Sequence, residues 1–99
     1  MGLYDRAALI ALPAQMRAMY MQALTAWLPA HCQGLVVTLD YDQSLLPGPP
    51  FSVGDAEVRQ GFAGWQLHEL EAVEVIQESP KFVQAGVSSL LERVYRLGR

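Results

Sequence analysis

Between Pro13 and Leu28 the apolar residues Met16, Tyr20, Ala23, Leu24, Trp27 and Leu28 recur every three or four positions. That spacing predicts a helix, with Pro13 suited to its first turn and Pro29 unable to continue it. After HCQG, the run LVVTLDY is apolar at successive positions up to Thr38. Such a run predicts a strand buried on both sides, with helices over both of its faces. In VGDAEVRQGF, Asp55 can cap a short helix whose inner face is Val58 and Phe62 and whose end is marked by Gly61 and Gly64. Trp65 and Leu67 then alternate with Gln66 and His68 until Leu70 and Ala72 break the phase, the pattern of a strand with one bulge.

Two segments resist this reading. In VSSLLERVYRLGR, Val87, Leu90, Leu91, Val94 and Leu97 fit a helix, whereas Tyr95 and Leu97 set against Glu92, Val94 and Arg96 fit an outer strand; periodicity alone leans helical. In LDYDQSLLPGPPFSV a loop is built from Leu45, Leu46, Pro47, Gly48, Pro49, Pro50 and Phe51 rather than from the polar residues that usually face water. A stiff apolar loop is expected to cover something.

Composition narrows the classes. With 99 residues the chain holds one domain, residues 1–99, and 52 % apolar against 17 % charged residues excludes disorder and leaves apolar groups to spare for a partner. A net charge of −3, with seven scattered Lys and Arg, offers no footprint for nucleic acid. A single cysteine, Cys32, forms no internal disulfide and no CxxC pair, which suits a cytoplasmic protein without a structural metal. The opening apolar run AALIAL is too short for a bilayer and follows Asp5, so neither signal peptide nor membrane anchor is expected.

Few residues are candidates for chemistry. Tyr4-Asp5-Arg6 sets two charges beside an apolar run, where they must be either exposed or employed. His31 and Cys32 are adjacent, whereas a Cys-His nucleophile needs the two groups facing each other across a site. His68 has no second ligand at metal spacing, and Glu69, Glu71, Glu74 and Glu78 read as a solvated face. Met16, Met19 and Met21 read as helix and core residues. Asp40 and Asp42 end the buried strand where open α/β sheets bind ligands, although aspartates also simply begin turns.

YDRAALIALP, then a helix, then LVVTLDYDQ, GPPFSV and a final SLLERVYRL together resemble the C-terminal part of the thiopurine S-methyltransferase family, in order and at the right spacing over nearly the whole chain. The resemblance implies an α/β fold, the C-terminal half of a Rossmann-like class I methyltransferase sheet, with helices and a terminal antiparallel strand pair. It makes Tyr4-Asp5 the end of a strand, AALIAL the short helical turn after it, and LVVTLDY the last parallel strand. Trp65 to Ile76 becomes an outer strand, and Leu90 to Leu97 an antiparallel strand inserted between the two, against the helical lean of the periodicity. The family's S-adenosylmethionine-binding half, with its glycine loop, is not in the sequence.

By the same resemblance the chain is the substrate side of an S-adenosylmethionine-dependent S-methyltransferase acting on thiol or chalcogen compounds, inactive alone. Arg6, of the family's DR motif, is the implied catalytic residue, contacting the substrate and favouring its anionic form. Pro49, Pro50 and Phe51 are implied to line the substrate pocket as a lid. Lys81 falls where the family has a second arginine, keeping the charge without the planar fork. Tyr4 and Asp5 are implied at the rim of the cofactor. The expected partners are the small-molecule substrate and either a second copy or a complementary N-terminal half, because an unpaired apolar sheet edge invites another chain. The alternative from another class is a non-catalytic interaction module, a self-associating fragment.

Overall fold

A computed structural model describes residues 2–99. Its elements in chain order are β1 (Gly2–Asp5), α1 (Ala14–Trp27), β2 (Gln33–Asp40), α2 (Asp55–Gly61), β3 (Gln66–Glu74), α3 (Pro80–Gln84) and β4 (Leu91–Gly98), with short 3-10 turns at Leu9–Ala11 and Ile76–Glu78. The strands form one sheet in the order β1-β2-β4-β3. β1 and β2 run parallel, and β4 lies antiparallel to both β2 and β3. The C-terminal segment is therefore a strand, placed between β2 and β3 as the resemblance implied. Its helical spacing is a coincidence of a strand whose two faces both carry apolar residues: Tyr95 and Leu97 are buried on one side, while Val94 faces the other. The bulge expected in β3 falls between Glu69 and Glu71.

The sheet has one well-covered face. Val36, Tyr95 and Leu97 pack with Met21 of α1, Val58 of α2 and the adjoining Phe62 and Trp65 into the main core. The opposite face, which carries Tyr4, Leu35 and Leu39, is covered only near the C-terminal end of β2, where Tyr41 meets Phe82 of α3 edge to face with ring centres 5.0 Å apart. Farther along, Tyr4 remains 64 % exposed. Helical cover on both faces of β2, as the sequence suggested, is thus realised on one face and at one end of the other.

Two local expectations are corrected. The inward arc of α1 contains Arg17 and Met21, with Tyr20, Leu24 and Leu28 beside them, whereas Met16 and Trp27 point outward, Trp27 being 80 % exposed. Hydrophobic spacing misplaced that arc because a long cationic side chain occupies its middle. Asp55 is the first residue of α2, not its cap. Its carboxylate instead accepts from Arg59 Nε at 2.8 Å and from the buried Tyr95 hydroxyl at 2.8 Å, which together hold it below the usual carboxylate range.

Close packing joins β1 to the sheet. A Cβ on Gly34 would lie 2.7 Å from the Leu3 carbonyl oxygen and 2.8 Å from Leu3 Cβ, so only glycine allows the parallel strands this approach. Among the described residues no helix is long and apolar enough to cross a membrane.

Candidate active site

The end of β1 is built around Asp5. Its side chain is buried, with Oδ1 accepting from the amides of Ala8 (3.1 Å) and Leu9 (3.2 Å) and Oδ2 accepting from the Tyr20 hydroxyl (2.6 Å). A carboxylate that receives two amides three and four residues on turns the chain sharply, as an N-cap does, and starts the Leu9–Ala11 turn. Tyr20 ties that turn to α1, and burial followed by the Asp5 bond raises its hydroxyl pKa well above normal. Of the Tyr4-Asp5-Arg6 pair of charges, one is therefore employed internally and the other, Arg6, is exposed at the strand end.

The proline loop is pinned residue by residue. Lys81 Nζ reaches the Pro49 carbonyl at 3.5 Å, and the Tyr41 hydroxyl lies 2.5 Å from the Pro50 carbonyl and 3.1 Å from that of Leu46. The Phe51 amide donates to Ile10 O (2.6 Å), the Ser52 amide to Gln43 Oε1 (2.7 Å) and the Val53 amide to Leu39 O (2.7 Å). Gly48 turns with φ of 95°, and its face lies against the Phe51 ring, where a Cβ would sit 2.7 Å from Cδ1. Five consecutive residues with fixed partners make a wall. The loop is held in this conformation largely through its backbone.

These parts belong to the same end of the parallel strand pair. Arg6 follows the carboxyl end of β1, the loop follows the carboxyl end of β2, and Lys81 on α3 contacts the loop. Ligands of open α/β sheets bind at this end of parallel strands. A groove of about 710 Å³ between α1 and α2 lies elsewhere: its lining includes Ala14, Ala18, Gly61 and Gly64 and none of Arg6, Pro49, Pro50, Phe51 or Lys81. The strand-end side thus carries Arg6, the proline loop and Lys81, whereas the groove is lined by small side chains together with Gln22, Thr25, Glu57 and Gln60.

Among the other candidates, Asp40 and Asp42 line a small cavity with Tyr41 and Ser89. Cys32 is fully buried while its neighbour His31 is exposed. His68 is exposed on β3 opposite Arg96. Asp40 pairs with Arg93, which also approaches Glu69 at 3.4 Å, and Asp42 accepts from the Ser44 amide and hydroxyl as a turn residue. Glu74 is not merely solvated: it accepts from the Ser89 hydroxyl and the Leu90 amide, which lower its pKa. Sequence reasoning did not single out Tyr20, Tyr41 or Arg17 as anchors of this edge. The available signal was polar atoms on otherwise inward-facing positions, which demand partners.

Comparison with known proteins agrees with this architecture. The family model described as thiopurine S-methyltransferase matches residues 2–99. Curated proteins named thiopurine S-methyltransferase include one from Pseudomonas putida, 80 % identical over 98 residues, and one from Azotobacter vinelandii, 57 % identical over 99 residues; each alignment covers 99 % of this chain and 45 % of the relative. Another, from Pseudomonas entomophila, is 65 % identical over 98 residues. The chain thus spans a little under half the length of the curated relatives it matches. On a match that runs from Gly2 to its last residue, the chain belongs to the thiopurine S-methyltransferase family.

Proposed function

We propose that this chain forms the substrate side of a cytoplasmic S-adenosylmethionine-dependent S-methyltransferase acting on aromatic or heterocyclic thiols, or on chalcogen analogues. The observation that carries the reading is that Arg6 follows β1 and the pinned PGPPF wall, touched by Lys81, follows β2, both at the carboxyl end of the parallel pair, in a chain of this family. Alkylation of a soft nucleophile needs positioning and a dry surface more than acid-base machinery. In this reading Arg6 holds the acceptor sulfur as its anion by charge, Pro49, Pro50 and Phe51 exclude water from it, and Lys81 adds a second positive charge beside the wall.

The cofactor fits this chain poorly by itself. Tyr4 and Asp5 are its expected rim, but Asp5 is buried with both oxygens accepting bonds from within the fold, which withholds its carboxylate from a ligand at the surface. The methyl donor that the family uses would be held mainly by residues outside this chain, and the chain's share is the Tyr4 ring and the fixed end of β1. A single rim cannot offset the loss of freedom on binding, roughly 4 kcal/mol or more. Titration calorimetry with S-adenosylmethionine should therefore show no binding to the 99-residue chain. Micromolar affinity would contradict the division of labour proposed here.

The free edge of β1 bears directly on partners. Its outer side has no strand neighbour among the described residues, and Tyr4 and Leu35 stand exposed beside it. Such an edge recruits another strand, from a second copy or from a complementary N-terminal half. Sedimentation of the chain alone should show dimers or larger species; a monomer at high concentration would mean that the edge is protected locally.

A further inference from the structure

Arg17 presents a charge where α1 should be apolar. Its side chain is only 6 % exposed, yet its guanidinium is held on several sides: Nε and NH2 meet the two Glu57 oxygens at 2.6 and 3.1 Å, and NH1 donates to the Leu12 carbonyl at 2.9 Å. It therefore links α1 and α2 with the turn that follows β1. The same turn receives the Phe51 amide at Ile10 O, two residues before Leu12, and the Phe51 ring centre lies 6.0 Å from the Arg17 guanidinium carbon.

An ion pair with one partner buried and the other partly exposed adds little stability over apolar residues of equal volume, because desolvation of the buried cation offsets the attraction. Its forked geometry does fix distances and angles, which an ammonium or an aliphatic chain would not. We propose that Arg17, locked by Glu57, is a positioning residue that sets the place of the Phe51 ring through the Leu12 carbonyl and the Ile10 to Phe51 hydrogen bond. Calling that ring a substrate wall rests on the methyltransferase reading; its positioning by Arg17 does not.

Amide hydrogen exchange on the 99-residue chain tests this without any activity assay. Two variants are compared with the parent: Arg17→Met with Glu57→Leu, which replaces the pair by apolar groups, and the milder Glu57→Gln, which loosens the fork but keeps the cation. In the double variant the Phe51 amide should exchange at least tenfold faster, with a smaller increase in Glu57→Gln, while the Val36 and Tyr95 amides in the sheet keep their protection. If the double variant does not fold, Glu57→Gln alone decides, since a selective rise at Phe51 supports the proposal. Unchanged exchange at Phe51, or an equal rise at Phe51, Val36 and Tyr95, would overturn it, reducing Arg17 to a general support of the fold.

Discussion

Arg6→Ala, tested in a chimera joining this chain to the portion of the Pseudomonas putida relative that it does not span, should lower kcat/KM for thiol methylation by roughly 100-fold, the usual effect of removing a charge that stabilises a developing or bound anion. The fold should not notice. Arg6 is exposed at the end of β1, whereas its neighbour Asp5 carries the structural bonds of the turn. The thermal midpoint of the variant should accordingly match the parent within error. Because an arginine holds the substrate as an anion, the loss should be largest near neutral pH and shrink as alkali ionises the thiol unaided. Undiminished turnover in Arg6→Ala would remove this residue from the mechanism.

Asp5→Ala should show the converse, a large loss of stability. The substitution leaves the Ala8 and Leu9 amides and the Tyr20 hydroxyl without their acceptor; the Leu9 amide is buried and the other two donors partly so, and a fully buried orphan costs about 1–3 kcal/mol. With water able to reach two of the three donors, the total is about 2–3 kcal/mol, still a large share of the roughly 5–15 kcal/mol that holds a domain together. Asp5→Asn should be much milder, since its remaining oxygen can still receive both amides while the Tyr20 hydroxyl rotates to accept from the new amide. Urea denaturation of the two variants measures the difference. Equal midpoints for Asp5→Ala and the parent would show that the turn after β1 is held by something other than this carboxylate.

How much of this was legible beforehand depended on whether a residue's role is local. The bulge in β3 and the inner face of α2 at Val58 and Phe62 could be read from spacing, because side-chain direction in a strand or helix follows from backbone period alone. The strand at Leu91–Gly98 could not, since a central strand with apolar residues on both faces carries no period of two. It was placed correctly only by resemblance to the family. At the candidate site, the unusual composition of the PGPPF loop and the charges at Tyr4-Asp5-Arg6 were visible. Their division was not: that Asp5 turns inward, that Tyr41 and Lys81 reach the loop carbonyls and that Arg17 replaces an expected apolar contact all depend on contacts between residues far apart in sequence. A charged residue on an inward arc is itself the signal that such a contact exists.

The most direct measurement of the central reading is methyl transfer by the same chimera. An aromatic thiol and S-adenosylmethionine are supplied, and the S-methyl product is followed alongside the parent Pseudomonas putida protein. If this chain is the substrate side of a thiol methyltransferase, the chimera should form the methyl thioether within about tenfold of the parent's rate, the margin set by about 1.4 kcal/mol of imperfect fit at the junction. A chimera that folds and binds S-adenosylmethionine but methylates no thiol or chalcogen acceptor would contradict the reading.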